Sequence, residues 1–461
     1  MTMFVKLGMQ GHALNRMHNG IRSFRKVLDL NASTLTGRSL QHLYTKGYSS
    51  ITGRNNVTRS LHRVHSRSLS GDVTGSEAPT PPPECLSRPL NFPFKTLMGP
   101  GPSNCPPRVL AASALPMLGH LHPEFTQIMD EVKEGIKYAF QTENTWTVCV
   151  SGTGHAAMEA SVCNLVEEGD PVLVCENGLW GQRFADMVER HGAKVSKLCL
   201  PMGSVFALDA IEKGIKEHRP KVLFVTHGES SGTTVQRLQG IGKICHENDC
   251  LLIVDSVAAM GGVPLFMDKW EIDVLYTGAQ KVLSAPPGAS PISFSERARH
   301  KVESRKTKVR SYYFDMNELA NYWGCDNQAR RYHHTGPISS VYALREGLAR
   351  LADVGLETSW ETHKSCAEAL LDGVEKLGLE LLVKEKEHRL PCVTGILVPE
   401  NVNWKLVTDF AMSKYRVEIS GGLGAMAGRM WRVGLMGYNC TPDNVRLVLR
   451  ALGDGLTSAR S

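Results

Sequence analysis

The chain has 461 residues with a formal net charge of +6, and that charge is unevenly placed. Eleven of its 52 Lys+Arg lie in residues 1–70 against the single acid Asp29, leaving 41 Lys+Arg against 45 Asp+Glu in the rest, so the body is mildly acidic and offers no basic face for nucleic acid. Its 12 cysteines include no C-x-x-C pair and several, such as Cys149, Cys175 and Cys392, sit inside apolar runs, which argues against a disulfide framework or a zinc site; no uninterrupted apolar stretch reaches the ~18 residues of a membrane helix.

The first seventy residues carry Arg16, Arg22, Arg25, Arg38, Arg54, Arg59, Arg63 and Arg67, many serines and almost no acid. Within IRSFRKVLDL, Ile21, Phe24, Val27 and Leu28 share one helical face. An Arg-rich, Ser-rich, acid-poor amphipathic start is the composition of a mitochondrial presequence, with a disordered basic tail as the plainer alternative. Residues 71–90 follow as a linker, whose GDVTGSEAPTPPPE is too rich in Gly, Ser and Pro to build a core. The expected layout is presequence 1–70, linker 71–90, a large domain over 91–350 and a small one over 351–461.

The large domain opens with KTLMGPGPSNCPPRVL, a Gly/Pro loop able to bring backbone close to a ligand. Ile128, Val132, Ile136 and Phe140 then recur at helical spacing. Seven apolar runs follow, at 146–150, 172–175, 194–200, 222–226, 251–255, 272–277 and 290–294, with helical segments near 155–168, 179–191, 207–218 and 238–249. Such alternation predicts an α/β fold: a mostly parallel seven-stranded sheet with helices on both faces.

Three of the turns have chemical promise. In VSGTGHAAMEA a strand stops, small residues turn the chain, and a helix opens at Gly154, His155 and Ala156; free N–H groups there suit an anion. ENGLWGQR puts Trp180 at a strand-to-helix junction, either to stack on a flat ring or to be a partly buried core residue. THGESSGTT offers Ser230, Ser231, Thr233 and Thr234, of which one hydroxyl can serve a ligand while the others cap or turn.

The centre of the chain is LLIVDSVAAMGGVPLFMDKWEIDVLYTGAQK. One buried strand delivers Asp255 at its C-terminal end, and the next delivers Gly278, Gln280 and Lys281. A carboxylate and a lysine on neighbouring strand ends suit pyridoxal phosphate (PLP), with Lys281 forming the Schiff base and Asp255 holding a proton on the ring nitrogen; the alternative is an ion pair at a sheet edge. By residue type alone, His333-His334 reads as a surface loop, since adjacent histidines have no metal-ligand spacing.

The small domain begins with the amphipathic stretch 355–379, followed by a strand in LPCVTGILVP and a helix then strand in VTDFAMSKYRVEIS, an α+β pattern. Arg432 lies in an apolar strand between Trp431 and Val433. A buried arginine needs a partner: a substrate carboxylate, which its fork matches, or a structural aspartate.

MGPGPSN, SGTGH, NGLWGQR, HGESSGT, VDSVAAMGG, TGAQK, YHHT and WRVGLMG, in order between about Leu90 and Leu456, together resemble the alanine–glyoxylate (serine–pyruvate) aminotransferase family, a group of class V, fold-type I PLP-dependent transferases. The resemblance implies transamination of alanine or serine with glyoxylate, in glyoxylate detoxification. It implies that Thr153, Gly154, His155 and Gln280 surround the phosphate, Trp180 stacks on the ring, Ser230 lies near the phenolic oxygen, Asp255 meets the ring nitrogen and Val257 packs beside the ring. Lys281 carries the Schiff base, and Arg432 takes the substrate carboxylate. Tyr332 and Thr335 would reach the cofactor of a neighbouring subunit, making a homodimer whose other partners are small amino acids and 2-oxo acids, with no metal, membrane or nucleic acid. Rival readings are a 3-hydroxykynurenine or other class V transaminase, and a PLP-binding dimer without turnover; a cysteine desulfurase fits less well, because Gln280 stands where those usually place His. The ending TSARS departs from an S-K-L peroxisomal address, which favours the mitochondrial matrix over the peroxisome.

Overall fold

The computed structural model describes residues 80–460. The expected presequence and the first part of the expected linker lie outside those residues. The chain divides into two units, residues 1–94 and 95–461. What is described of the first is an exposed segment with one 3₁₀ turn, Glu84–Ser87, closed by the Ser87 hydroxyl on the Glu84 carbonyl at 2.7 Å.

The second unit is built on the seven-stranded sheet. Its strands are β1 (Trp146–Gly152), β2 (Pro171–Glu176), β3 (Lys194–Cys199), β4 (Val222–Thr226), β5 (Leu251–Asp255), β6 (Val274–Tyr276) and β7 (Gly288–Phe294). The spatial order is β1-β7-β6-β5-β4-β2-β3, and β7 runs antiparallel to both neighbours while the other pairs are parallel. Every residue of β4 and β5 is buried, as continuous apolar strands require when helices cover both faces. The helices nearest the cleft and its approaches are α1 (Pro107–Ser113), α2 (Pro123–Phe140), α3 (Gly154–Leu165) and α4 (Leu179–Arg190). Phe184 of α4 stacks on Phe224 of β4 with centroids 3.8 Å apart, fixing that helix to the sheet.

A second hydrophobic cluster surrounds a three-stranded antiparallel sheet of β8 (Val393–Leu397), β9 (Ser420–Gly421) and β10 (Met430–Gly434), in the order β8-β10-β9. Leu370 and Val374 of the helix Leu356–Lys376 and Val448 and Leu452 of the last helix line it. Met98 joins this cluster, and Thr96–Leu97 pairs in parallel with Val417–Glu418, although 96–98 falls early in the chain. The Gly/Pro loop after Met98 is thereby anchored beside β10, where the Gly434 N–H donates to the Met98 carbonyl at 2.7 Å. Among the described residues no helix is long and apolar enough to cross a membrane.

Candidate active site

The carboxyl ends of β1, β4, β5 and β6 converge, the place where open α/β sheets bind ligands. Asp255, last residue of β5, is buried; its Oδ1 accepts from the Val257 N–H at 2.8 Å and its Oδ2 from the Tyr276 hydroxyl at 3.0 Å. Burial pushes this carboxyl up to about 6, and the two hydrogen bonds and the Lys281 charge work against that rise. Lys281 lies in the turn beyond β6, and its ammonium donates to the Pro100 carbonyl. Burial and the nearby Arg432 charge pull the amine down to about 8, with Asp255 and Glu418 opposing.

The loop 99–103 closes over Lys281. Ser103 donates its N–H to the Gln280 carbonyl at 2.9 Å and its hydroxyl to the Lys281 carbonyl at 2.8 Å. Gly101, at φ +107°, leaves no room for a side chain: a Cβ there would lie 2.5 Å from Lys281 Nζ. Backbone of this Gly/Pro loop is thus pressed against the Lys281 amine.

On the β1 side, Gly152 takes φ +149°, and a Cβ on it would come 2.5 Å from the Ala156 Cβ. Thr153 is the N-cap residue of α3 and makes no side-chain cap, so the first N–H groups of the helix face the cleft without one. A Cβ on Gly154 would come 3.3 Å from Val257, which brings the loop after Asp255 against this turn. Beside it, Gln280 Oε1 is buried with no hydrogen-bond partner, as is Thr226 Oγ1 at the end of β4. The bare helix N-terminus offers N–H donors to an anionic group, the Thr226 hydroxyl can donate as well, and the Gln280 oxygen calls for a donor.

Trp180 is half-buried, with its indole N–H donating to Ser230 Oγ at 2.9 Å. His155 meets the ring edge-on at 5.6 Å, and the Arg183 guanidinium sits 5.2 Å from its centroid. His155 Nε2 lies 2.6 Å from Arg183 Nη1; burial and that charge hold its imidazole below the usual range, so the ring accepts. Among Ser230, Ser231, Thr233 and Thr234, Ser230 is the one the indole selects.

Arg432 is buried on β10 and donates Nε to the Gly421 carbonyl at 2.9 Å and Nη1 to the Ser230 carbonyl at 3.1 Å. Among the described residues no carboxylate forms an ion pair with it, so the structural-aspartate alternative does not apply. Burial lowers its affinity for the proton, and Glu229 and Glu418 nearby raise it. The cation is held in place by backbone and left open to an incoming carboxylate.

Tyr332 and Thr335 are exposed; their hydroxyls lie 3.4 Å apart, and neither touches Lys281 or Asp255 in this chain. The segment between them is not a plain surface loop. His333 is buried with Nε2 3.0 Å from the Tyr312 carbonyl, and His334 Nε2 lies 2.6 Å from Ser151 Oγ on β1. No cluster able to hold a metal ion occurs among the described residues.

Two residues at the site are not singled out by the sequence. Tyr276 looks like strand filler there, although the pairing of β5 with β6 sets it opposite Asp255. Glu229 stands in a run of hydroxyls; it is fully buried and accepts from Trp180 N at 3.2 Å, Ser231 N at 2.8 Å and Ser231 Oγ at 2.6 Å. Burial pushes it up to about 7 despite those donors. The only signal for it is an acid placed where every neighbour is small.

Residues 98–447 match the Aminotransferase class-V family. An alanine–glyoxylate aminotransferase of Callithrix jacchus is 52% identical over 375 residues, 81% of this chain and 91% of that one. Among solved structures, an alanine–glyoxylate aminotransferase of Nostoc sp. is 45% identical with a TM-score of 0.78, covering 80% of this chain and 97% of the other. A ureidoglycine–glyoxylate aminotransferase of Bacillus subtilis is 37% identical with a TM-score of 0.79, covering 81% and 96%.

Proposed function

Because the chain belongs to the class-V aminotransferases, we propose that it moves the amino group of alanine to glyoxylate, giving pyruvate and glycine, with serine as a further donor and PLP as cofactor. The observation that carries the reading is the convergence of a lysine of lowered basicity, a buried carboxyl and an arginine without a carboxylate partner on one cleft. Both the Nostoc and Bacillus relatives have glyoxylate in their names, so the acceptor has support from two directions, and the donor rests on the alanine–glyoxylate relatives.

The residues present fit PLP. The bare start of α3 at Thr153, Gly154 and His155 would hold the phosphate, with the Gln280 side chain donating through its amide Nε2. Trp180 would stack on the ring, Val257 would pack beside it, Ser230 would meet the phenolic oxygen and Asp255 the ring nitrogen. Bound PLP supplies an electron sink for the charge that develops at the substrate Cα. Arg432 pairs with the carboxylate common to amino and oxo acids and so orients Cα. Lys281, once its amine is free, takes the proton leaving Cα and returns one on the other side of the exchange; a basicity near 8 leaves a useful neutral fraction at neutral pH. Asp255, polarised by two donors, keeps its charge where a protonated ring nitrogen needs it.

Tyr332 and Thr335 reach a partner's cofactor in this reading, and a homodimer is the active unit. Exposed Leu110, Leu115, Met117, Tyr312 and Tyr332 are apolar or aromatic surface of the kind a partner covers. Residues 1–70 act as a mitochondrial presequence, and a role in glyoxylate removal follows from the acceptor. N-terminal sequencing of protein from mitochondria is expected to start between about Ser68 and Leu90. Intact Met1 on protein from peroxisomes overturns that part.

The deciding experiment compares kcat/KM for alanine, serine and 3-hydroxykynurenine, each with glyoxylate and pyruvate. Alanine or serine with glyoxylate is expected to lead. A clear lead for 3-hydroxykynurenine, or failure of glyoxylate, leaves a PLP transaminase of another substrate class.

A further inference from the structure

Glu229 lies beside the proposed cofactor site without being among the groups that would touch the cofactor, and a fully buried carboxylate needs a reason. Helix α4 supplies one. Its N-cap residue is Gly178, which has no side chain to satisfy the first N–H groups. The cap comes from another segment instead. Ser231 Oγ accepts from the Leu179 N–H at 3.0 Å, and Glu229 Oε2 accepts from the Trp180 N–H at 3.2 Å. The second carboxylate oxygen accepts both Ser231 N–H at 2.8 Å and its hydroxyl at 2.6 Å. All the groups hydrogen-bonded to this side chain donate, and a negative charge at a helix N-terminus meets the positive end of the dipole, with Asp255 as the opposing charge nearby. Gly178 must be glycine here, since a Cβ on it would overlap the Glu229 carboxylate.

The same short segment is gripped on its other sides. Ser230 receives the Trp180 indole on its hydroxyl at 2.9 Å and the Arg432 guanidinium on its carbonyl at 3.1 Å. Gly228 lies so close to the loop after Asp255 that a Cβ would come 2.8 Å from Ala259. Gly228–Glu229 and Thr234–Val235 pair as an antiparallel hairpin, so Trp180 and Arg432 both bond to that hairpin, and Glu229 ties it to the helix from which Trp180 projects.

We infer that Glu229 is a positioning residue: by capping α4 from the turn after the neighbouring strand β4 it holds the Trp180 indole, and through Ser230 the Arg432 fork, in the arrangement that receives cofactor and substrate. This rests on the PLP reading of the site. Glutamine at 229 keeps the shape but presents an amide N–H₂ to at least one of the donors, leaving a buried N–H unpaired. Either the Trp180 N–H or the Ser231 N–H then lacks its acceptor, and the tie between this segment and α4 is loosened.

The test is a double-mutant cycle read as the PLP dissociation constant of apo-protein, measured by ultrafiltration. Glu229→Gln is expected to weaken binding about tenfold in the native background. In a Trp180→Ala background, where there is no indole left to position, the same change is expected to cost less than about threefold. Equal losses in the two backgrounds, or no loss in the native one, overturn the inference. If Glu229→Gln does not fold, Ser231→Ala, which removes the Leu179 cap and one donor to the carboxylate, enters the same cycle with the same expectations. A native chain that takes up no PLP sinks the reading of the site and this inference with it; a native chain that binds while the variants bind equally well sinks the inference alone.

Discussion

The Tyr276 hydroxyl lies 3.0 Å from Asp255 Oδ2, and the two residues are register partners across β5 and β6. Both are buried, so the phenol is the nearest thing to solvent that this carboxylate oxygen has. The hydrogen bond favours the charged form of Asp255, against a burial that disfavours it. Keeping a charge there is the condition for holding a proton on a pyridine nitrogen.

Tyr276→Phe removes that donor with little change of shape. A hydrogen bond to a charged group contributes about 1.5–3 kcal/mol, so kcat/KM is expected to fall by at least about tenfold. The sign of the pH effect is fixed too. Loss of a donor to the charged form raises the Asp255 pKa above its present value of about 6, so the acid limb of the pH–rate profile moves to higher pH. An acid limb that stays in place shows that the phenol does not support the carboxylate.

The amine of Lys281 offers a separate reading on pH. Only the neutral amine attacks an aldehyde, and burial with the Arg432 charge brings its pKa to about 8, well under the 10.5 of an ordinary lysine. The rate at which apo-protein captures PLP is expected to climb with pH up to about 8 and level off above it. Stopped-flow absorbance tracks this directly, and borohydride reduction with peptide mapping places the label on Lys281. A rate that keeps climbing towards pH 10 excludes the lowered basicity, and a label on another lysine excludes the residue.

How much of this is legible in the sequence depends on what kind of signal each residue carries. The seven strands of the central sheet lie within the seven apolar runs or within two residues of them; inner strands such as β4 and β5 are buried on both faces and leave an unbroken apolar record, whereas the edge strand β3 has no buried residue and keeps Lys194 and Lys197 among its apolar positions. Asp255 and Arg432 stand out as charges at the end of or within apolar strands, and Lys281 as a charge in the small-residue turn after one; each lies at the cleft. Tyr276 does not stand out, because an aromatic residue is at home in a buried strand and only the lateral order of β5 and β6 puts it against Asp255. Glu229 is legible only once α4 is seen to start on Gly178, two segments away in the chain. The buried contacts of His333 and His334 depend likewise on Tyr312 and Ser151, neither of which is near them in sequence.

Gly101 tests how closely the loop 99–103 fits Lys281. Alanine there would strain a residue at φ +107° and bring Cβ within 2.6 Å of both Nζ and Cδ of Lys281. Overpacking of this kind costs about 1–3 kcal/mol when neighbours must move, and the neighbour here is the reactive side chain. Gly101→Ala is therefore expected to abolish the visible chromophore of the PLP–lysine adduct, or displace its band, while the far-ultraviolet circular dichroism stays native. A normal chromophore at full occupancy means that the loop yields without cost to the lysine.

In the proposed reaction Arg432 bears on the substrate and not on the cofactor. Two backbone carbonyls hold its guanidinium, and among the described residues no carboxylate forms an ion pair with it, so the proposed reaction gives that place to a substrate carboxylate. Losing one partner of a desolvated charge pair costs about 2–5 kcal/mol. Arg432→Ala is expected to lower kcat/KM at least about 30-fold for every amino acid and every 2-oxo acid, since all carry the same carboxylate. PLP content, measured by absorbance, should fall far less, because the arginine reaches the cofactor side only through the Ser230 carbonyl. The contrast between the two readouts is what decides. A drop confined to one donor would make Arg432 a side-chain selector, and a matching loss of cofactor would make it a strut of the Trp180–Ser230 hairpin and not the group that receives the substrate.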